Sequence, residues 1–220
     1  MQGDGDFGQR DPLFALTVMP YGFMLLGRLR EATYARPLQL ATGLLAAIAI
    51  SLKPHFLLYY IAAECFGLCA ARRWRFPLRL ESLCVAGISG IYYLSILLLW
   101  PTYFTDVMPQ MMMFYEAYFF YFKPLYMIAA ITIAVLAAFF VVRLLISRKY
   151  PALYIRREEL FFALMLLVML AIAVAQGTAV TYRLQPVKIY AALLLFVSLV
   201  SLRSWRFVYP AILFIAVTLT

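Results

Sequence analysis

The stretch LYMIAAITIAVLAAFFVV (residues 125–142) decides the fold. Its eighteen residues carry no charge, and an uncharged apolar run of about this length can cross the hydrocarbon core of a bilayer as an α-helix. Comparable apolar runs, bounded by charged residues and prolines, recur in both directions along the chain. They predict eight membrane segments, at about residues 12–27, 38–52, 55–71, 82–100, 125–147, 159–175, 187–202 and 207–220.

The composition excludes a soluble domain. Hydrophobic residues make up 66% of the 220 residues and charged residues 13%, and the mean hydropathy is +0.90. Soluble domains are about 45–50% apolar and about 25% charged, so lipid must be the solvent for most of this apolar surface. We therefore predict an all-α, polytopic transmembrane helix bundle that forms a single transmembrane domain over residues 1–220.

The basic residues divide unequally between the two sides of the predicted membrane. If the odd-numbered segments run towards the cytoplasm, 14 of the 19 Lys and Arg residues fall on the cytoplasmic side. The five on the outer face are Arg10, Lys53, Lys123, Arg183 and Lys188. This bias sets the orientation through the positive-inside rule. The net charge of +9 is therefore a topology signal, and no nucleic-acid partner is predicted.

Two outer loops follow from this orientation, an N-terminal loop over residues 1–11 and an aromatic loop over about residues 100–126. The aromatic loop holds 11 of the 37 aromatic residues, which is typical of an interfacial helix in an aromatic belt. The alternative is that Tyr115 and Tyr118 grip an isoprenoid tail or stack on a sugar ring.

The basic residues of the outer face are exceptions to the positive-inside rule, so the position of each must be explained. Lys53 ends a short apolar segment and precedes Pro54 and His55, the only histidine. An ammonium at the membrane boundary is costly unless it snorkels or meets an anion, so either Lys53 snorkels or it binds a substrate phosphate together with His55. Arg183 and Lys188 have the same two interpretations, a lipid headgroup contact or recognition of a substrate phosphate.

Acidic residues give weaker signals. Asp4 and Asp6 have the D-x-D spacing that suits Mg²⁺ or Mn²⁺, although a solvated acidic turn has the same pattern. Asp11 precedes Pro12 at the start of the first segment, where a carboxylate can cap free amides. Glu64 lies midway through the third segment and is costly there unless it faces the protein interior.

Three segments, in this order, resemble motifs of bacterial membrane glycosyltransferases of the GT-C superfamily. DFGQRDPL (residues 6–13) resembles their F-G-Q-R-E-H-L motif, and KPHF (residues 53–56) resembles their K-P-H-F motif between two short helices. QGTAVTYRLQP (residues 176–186) resembles their Q-G-K-x-x-x-Y-H-x-x-P motif. The order and approximate spacing agree over nearly the whole chain.

The resemblance implies a GT-C-like fold that transfers a hexose or pentose from a polyprenyl-phosphate donor to a glycan, lipid or protein acceptor. It places the site on the periplasmic face of a bacterial inner membrane. The catalytic residues expected from it are Arg10, Asp11 and His55. The substrate-binding residues, including those suggested by the outer-face position alone, are Lys53, Tyr115, Tyr118, Tyr182, Arg183 and Lys188.

The chain departs from the family motifs at two places. Asp11-Pro12 stands where the family has Glu-His, and Tyr182-Arg183 stands where it has Tyr-His. The superfamily's catalytic aspartate usually lies in a first outer loop, upstream of the part represented here. We therefore expect a partial chain that lacks upstream helices and further C-terminal ones, and that is inactive alone.

Three functions remain open at this point. The first is a glycosyltransferase, or part of one, with a divalent cation as its only cofactor. The second is a flippase or permease subunit for a lipid-linked glycan, because short broken helices also suit substrate sites near the bilayer midplane. The third is a non-catalytic membrane scaffold.

Overall fold

The computed structural model describes residues 10–110, 113, 123–149, 155–175 and 181–201. By their contacts, the residues group into two compact units, Met1–Phe120 (unit 1) and Tyr121–Thr220 (unit 2), where the sequence predicts one transmembrane domain. The described residues are helical apart from turns and short connections. The prediction of an all-α protein is confirmed for this part of the chain.

Unit 1 contains four α-helices, which are α1 (Arg10–Leu29), α2 (Arg36–Ser51), α3 (Leu57–Ala71) and α4 (Leu80–Leu99). Short 3-10 turns at Pro54–Phe56 and Phe76–Leu78 precede α3 and α4. A π-helical turn, Tyr103–Val107, opens the predicted aromatic loop. Proline begins or follows the start of each 3-10 turn, where its missing amide hydrogen costs nothing.

Unit 2 contains α5 (Lys123–Lys149), α6 (Arg157–Ala175) and α7 (Thr181–Ser201). Helix α7 starts six residues before the predicted residue 187, since it includes Pro186 within its second turn. The predicted start of this segment at residue 187 is therefore too late. Pro186 is the sixth residue of α7, so the helix lacks the amide hydrogen that would otherwise bond to the carbonyl of Tyr182, four residues earlier.

Five helical stretches are long and apolar enough to cross a membrane, which are Arg10–Leu29, Pro54–Ala71, Leu80–Leu99, Tyr126–Leu145 and Arg157–Ala175. Two further apolar helices, Arg36–Ser51 and Leu184–Ser198, are shorter. The described helices are thus those of a membrane protein. The predicted eighth segment, residues 207–220, lies outside the described residues.

Helices α1 and α3 run in the same direction. Near their starts, the ring of Phe14 stacks on that of Phe56, with centroids 3.9 Å apart and planes at 14°. Further along both helices, the Tyr21 hydroxyl donates a hydrogen bond to Glu64. Contacts therefore follow the same order along both helices, which brings the start of α1 to the turn that opens α3.

Helices α2 and α4 run parallel to each other and opposite to α1. Gly43 lies against Glu81 at the start of α4, and the Tyr93 hydroxyl near its end donates to the Ile50 carbonyl at 2.8 Å. Arg28, at the end of α1, pairs with Glu81. Unit 1 therefore has two ends: α1 and α3 start at one, and α4 starts at the other.

Close packing between α2 and α4 depends on Gly43. A Cβ atom at this position would lie 2.8 Å from the Glu81 carbonyl oxygen and 2.8 Å from the Cys84 Cβ. Backbone atoms cannot yield as a flexible side chain can, so a larger residue would push the helices apart. Small residues commonly allow such close approach between membrane helices.

We expect Gly43→Ala to lower the free energy of unfolding by about 1–3 kcal/mol, because overpacking forces a backbone shift. Gly87→Ala is the matched control, since nothing lies within 4 Å of a Cβ added there and alanine favours the helix by up to about 1 kcal/mol. Unfolding in detergent measures both variants. Equal stability of the two would contradict the close packing at Gly43.

Candidate functional site

The break between α2 and α3 positions Lys53. Helix α2 ends at Ser51, and Lys53 has extended backbone angles (φ −151°, ψ 137°) before the 3-10 turn that Pro54 begins. Proline disfavours helical geometry in the residue before it. The sequence therefore forces the chain out of the helix at Lys53, which leaves this lysine between two apolar helices.

Lys53 forms an ion pair with Asp11, 42 residues earlier in the chain. The distance from the Lys53 Nζ to the Asp11 Oδ2 is 2.7 Å, typical of a short charge-assisted hydrogen bond. The Asp11 side chain is 2% exposed and that of Lys53 is 20% exposed. A buried carboxylate therefore meets an ammonium that still reaches the surface. We call this pair, with His55, the Lys53 site.

A cluster of aromatic rings lies beside Lys53. The Lys53 ammonium lies 5.6 Å from the centroid of the Phe56 ring, within the distance at which a cation is attracted to an aromatic face. Phe14 stacks on the same ring and meets Tyr59 edge-on, with centroids 5.6 Å apart. The half-buried His55 packs edge-on against Phe56 at 5.0 Å. The charges therefore lie beside an apolar wall, which strengthens their interactions with an anion.

Tyr93 satisfies the backbone that the break exposes. Its hydroxyl donates to the Ile50 carbonyl at 2.8 Å and lies 3.4 Å from the Lys53 carbonyl. Irregular backbone at membrane depth persists only where the protein itself satisfies it. Tyr93 is not among the site residues that the sequence predicts. The available signal was that Pro54 frees carbonyls at the end of α2, which then need a donor from a neighbouring helix.

The other predicted site residues are distributed over both units. Arg10 is exposed at the first residue of α1, next to Asp11, which lies in the first turn and is buried. In unit 2, Lys188 lines a cavity. Tyr182 and Arg183 belong to the first turn of α7, but their side chains are outside the described part. The remaining predicted residues, Asp4, Asp6, Tyr115 and Tyr118, also lie outside the described residues.

The opposite end of unit 1 holds a second charged cluster. The Arg79 Nη2 lies 2.6 Å from the Glu64 Oε1, and the Arg79 Nη1 lies 3.7 Å from the Glu81 Oε1. The Arg28 Nε lies 3.2 Å from the same Glu81 oxygen, and the Tyr21 hydroxyl donates to Glu64. We call these five residues the Arg79 network.

The Arg79 network joins three helices through buried charges. Glu64 on α3 and Glu81 on α4 are both buried, and two arginines balance their charge. Glu64 faces the protein interior, as its cost in an apolar segment requires. Arg79 also packs over the Phe76 ring, with its guanidinium carbon 3.9 Å from the centroid. Its carboxylate partners, together with this ring, hold the arginine inside the helical unit.

Unit 2 contains a buried ion pair of its own. The Arg143 Nη2 lies 2.7 Å from the Glu159 Oε1, and the two side chains are 4% and 0% exposed. The other Glu159 oxygen accepts a hydrogen bond from the Arg156 amide at 2.9 Å, before the first turn of α6. Glu159 therefore caps its own helix while it ties α6 to α5.

Searches of family models, curated proteins and solved structures return no match to this chain. Among the described residues, no group of three or more His, Cys, Asp and Glu side chains is arranged to hold a metal ion. The charged clusters of the two units are therefore the features that can indicate a function. Of these, only the Lys53 site combines predicted site residues from two separate motifs.

Proposed function

We propose that this chain is part of a GT-C-like membrane glycosyltransferase of the bacterial inner membrane, with about eight membrane segments. It transfers a hexose or pentose from a polyprenyl-phosphate donor to a glycan, lipid or protein acceptor at the Lys53 site, on the periplasmic face. The D-x-D pair, Asp4 and Asp6, is the proposed ligand set for Mg²⁺ or Mn²⁺. Tyr115, Tyr118, Tyr182 and Arg183 are the proposed donor contacts outside the Lys53 site.

The observation that carries the proposal is the 2.7 Å contact between Lys53 and Asp11. Glycosyl transfer needs a carboxylate general base and a cation that stabilises the leaving phosphate. The pair supplies both groups, each from a segment that resembles a glycosyltransferase motif. A sugar phosphate that approaches the partly exposed Lys53 competes with Asp11 for the ammonium, and this exchange leaves the carboxylate available as a base.

The proposed reaction moves one sugar between two oxygen atoms. The hydroxyl oxygen of the acceptor attacks the anomeric carbon, and the bond from this carbon to the donor phosphate oxygen breaks. The bonding electron pair leaves with polyprenyl phosphate, whose charge Lys53 stabilises. The acceptor proton passes to Asp11. His55 lies beside Phe56, where it can orient the sugar or relay this proton.

Replacing Lys53 with methionine is expected to lower sugar transfer by about 10²-fold, the usual cost of removing one group that stabilises developing negative charge. Methionine keeps an unbranched apolar stem against Phe56. Membranes that contain the full-length protein are supplied with polyprenyl-phosphate hexose or pentose, radiolabelled in the sugar. The measurement is label incorporated into membrane or glycan product.

The control is Arg73→Gln, because Arg73 is a basic residue that is exposed at the opposite end of unit 1. Its transfer rate should equal that of the unmodified protein. If Lys53→Met transfers sugar as fast as this control, at equal abundance in the membrane, Lys53 does not serve the reaction and the proposed site is wrong.

The second candidate function, a flippase or permease subunit for a lipid-linked glycan, is favoured by one observation. The Arg79 network places charged side chains inside a helical unit, and charges in this position commonly mark transport pathways. Movement of labelled lipid-linked glycan across liposomes, without a change in its covalent structure, would support transport. Formation of a new glycosidic product would support the transferase.

A further inference from the structure

A cavity of about 500 Å³ lies among α5, α6 and α7 in unit 2. Its size is within the range of about 300–1,000 Å³ found for ligand pockets. Nine of its eleven lining residues are apolar, and the two others are Thr132 and Lys188. The Thr132 hydroxyl donates to the Ile128 carbonyl within its own helix at 2.8 Å. Lys188 therefore supplies the ionic character of this cavity.

The lining favours a hydrocarbon chain over a sugar. On α5 it extends from Ile131 to Phe139, and on α7 from Lys188 to Leu195, which corresponds to about 10–12 Å along each helix axis at 1.5 Å per residue. A sugar ring in this space would leave most of its hydroxyl groups without partners, at a cost of a few kcal/mol each. A lipid chain that lies along the helices has no such cost.

Lys188 marks one end of the cavity. It is the first of the α7 lining residues, and helical side chains point towards the helix start, so its ammonium extends beyond the apolar part. Lys188 does not take part in any of the ion pairs found among the described residues. A half-buried ammonium within a membrane segment is stabilised when an anion meets it.

We infer that this cavity holds one acyl chain of an anionic phospholipid from the surrounding bilayer, with the lipid phosphate against Lys188. This occupant matches the cavity because its phosphate complements the charge of Lys188 and its acyl chain fits the apolar lining. This lipid site belongs to unit 2 and does not depend on sugar transfer. The ligand of Lys188 is then a structural lipid. The sequence, from the outer-face position of this residue, predicts a sugar donor instead.

The test measures lipid retention by the full-length protein in micelles that contain equal amounts of phosphatidylglycerol and phosphatidylcholine with identical chains. Native mass spectrometry counts the lipids that remain bound. We expect about a fivefold preference for phosphatidylglycerol, the factor that corresponds to one basic residue near an anionic headgroup. Lys188→Gln should abolish this preference. Arg157→Gln, which removes an exposed charge from the same unit outside the cavity lining, should keep it.

A second variant tests the cavity independently of the charge. Ala191→Phe adds bulk to the cavity wall and leaves Lys188 in place, so retention of both lipids should fall. The inference is overturned if the unmodified protein shows no preference, or if Arg157→Gln loses the preference as fully as Lys188→Gln. It is also overturned if a polyprenyl-phosphate sugar displaces the phospholipid at equal concentration, because the cavity would then belong to the donor.

Discussion

Replacing Arg79 with alanine is expected to lower the free energy of unfolding by about 3–5 kcal/mol, the range for removal of one partner from a buried ion pair. The loss is large because Arg79 faces both Glu64 and Glu81. Without the guanidinium, the Glu64 carboxylate stays in an apolar interior with only a tyrosine hydroxyl as its described partner. Chemical unfolding of the purified protein in detergent measures the change.

The matched control for this prediction is Arg73→Ala. Arg73 lies 3.7 Å from Glu31, but the two side chains are 76% and 81% exposed, and exposed ion pairs contribute at most about 1 kcal/mol. The double variant Arg79→Met with Glu64→Gln should recover part of the loss, because it removes both buried charges together. If Arg79→Ala and Arg73→Ala are equally stable, the Arg79 network does not hold unit 1 together.

The helices were predictable from the sequence because membrane segments follow from length and apolarity alone. The break at Lys53-Pro54 was also predictable, since proline disfavours helical geometry in the residue before it and cannot donate the helical hydrogen bond. The earlier start of α7 was not predictable from the same rule. The predicted segment begins after Pro186, whereas the structure includes this proline as the sixth residue of the helix.

Ion pairs between residues that are distant in sequence were harder to predict than the helices. The charge count places Arg79 and Arg143 in cytoplasmic loops, but Arg79 reaches Glu64 and Arg143 is buried against Glu159. A carboxylate inside an apolar helix indicates that some cation must meet it, yet it does not say which. The choice depends on the 3-10 turn before α4, which directs Arg79 towards the interior, and no local pattern encodes that direction.

The pairing of Asp11 with Lys53 was also not predictable from the sequence. The resemblance assigns Asp11 and Lys53 to motifs of the same family. It does not predict how far apart the two side chains lie. The sequence alone predicts Asp11 as a helix cap and Lys53 as a phosphate ligand or a snorkelling residue. The structure pairs the two because α1 and α3 run parallel, so that the start of α1 lies beside the turn that opens α3. Parallel packing of this kind is a tertiary property.

Replacing Asp11 with asparagine is expected to lower the rate of sugar transfer by about 10²–10⁴-fold, the usual contribution of a general base. Asparagine has nearly the same volume, and its amide oxygen can still accept a hydrogen bond from Lys53. The fold around the pair should therefore persist while the carboxylate that accepts the acceptor proton is lost. Initial rates of label transfer, at several donor concentrations, separate kcat from KM.

The distinction between a base and a positioning residue follows from the same measurements. If Asp11 only holds Lys53 in place, the asparagine variant should lose less than about tenfold in rate, because the hydrogen bond to the ammonium persists. If Asp11 is the base, kcat should fall and the KM for the donor should change little, since donor phosphate binding depends on Lys53. Unfolding of the variant, measured in parallel, shows whether a lost rate reflects a lost fold. A folded Asp11→Asn variant with a nearly unchanged kcat would exclude Asp11 as the base and would leave the reaction without an acid–base group on α1.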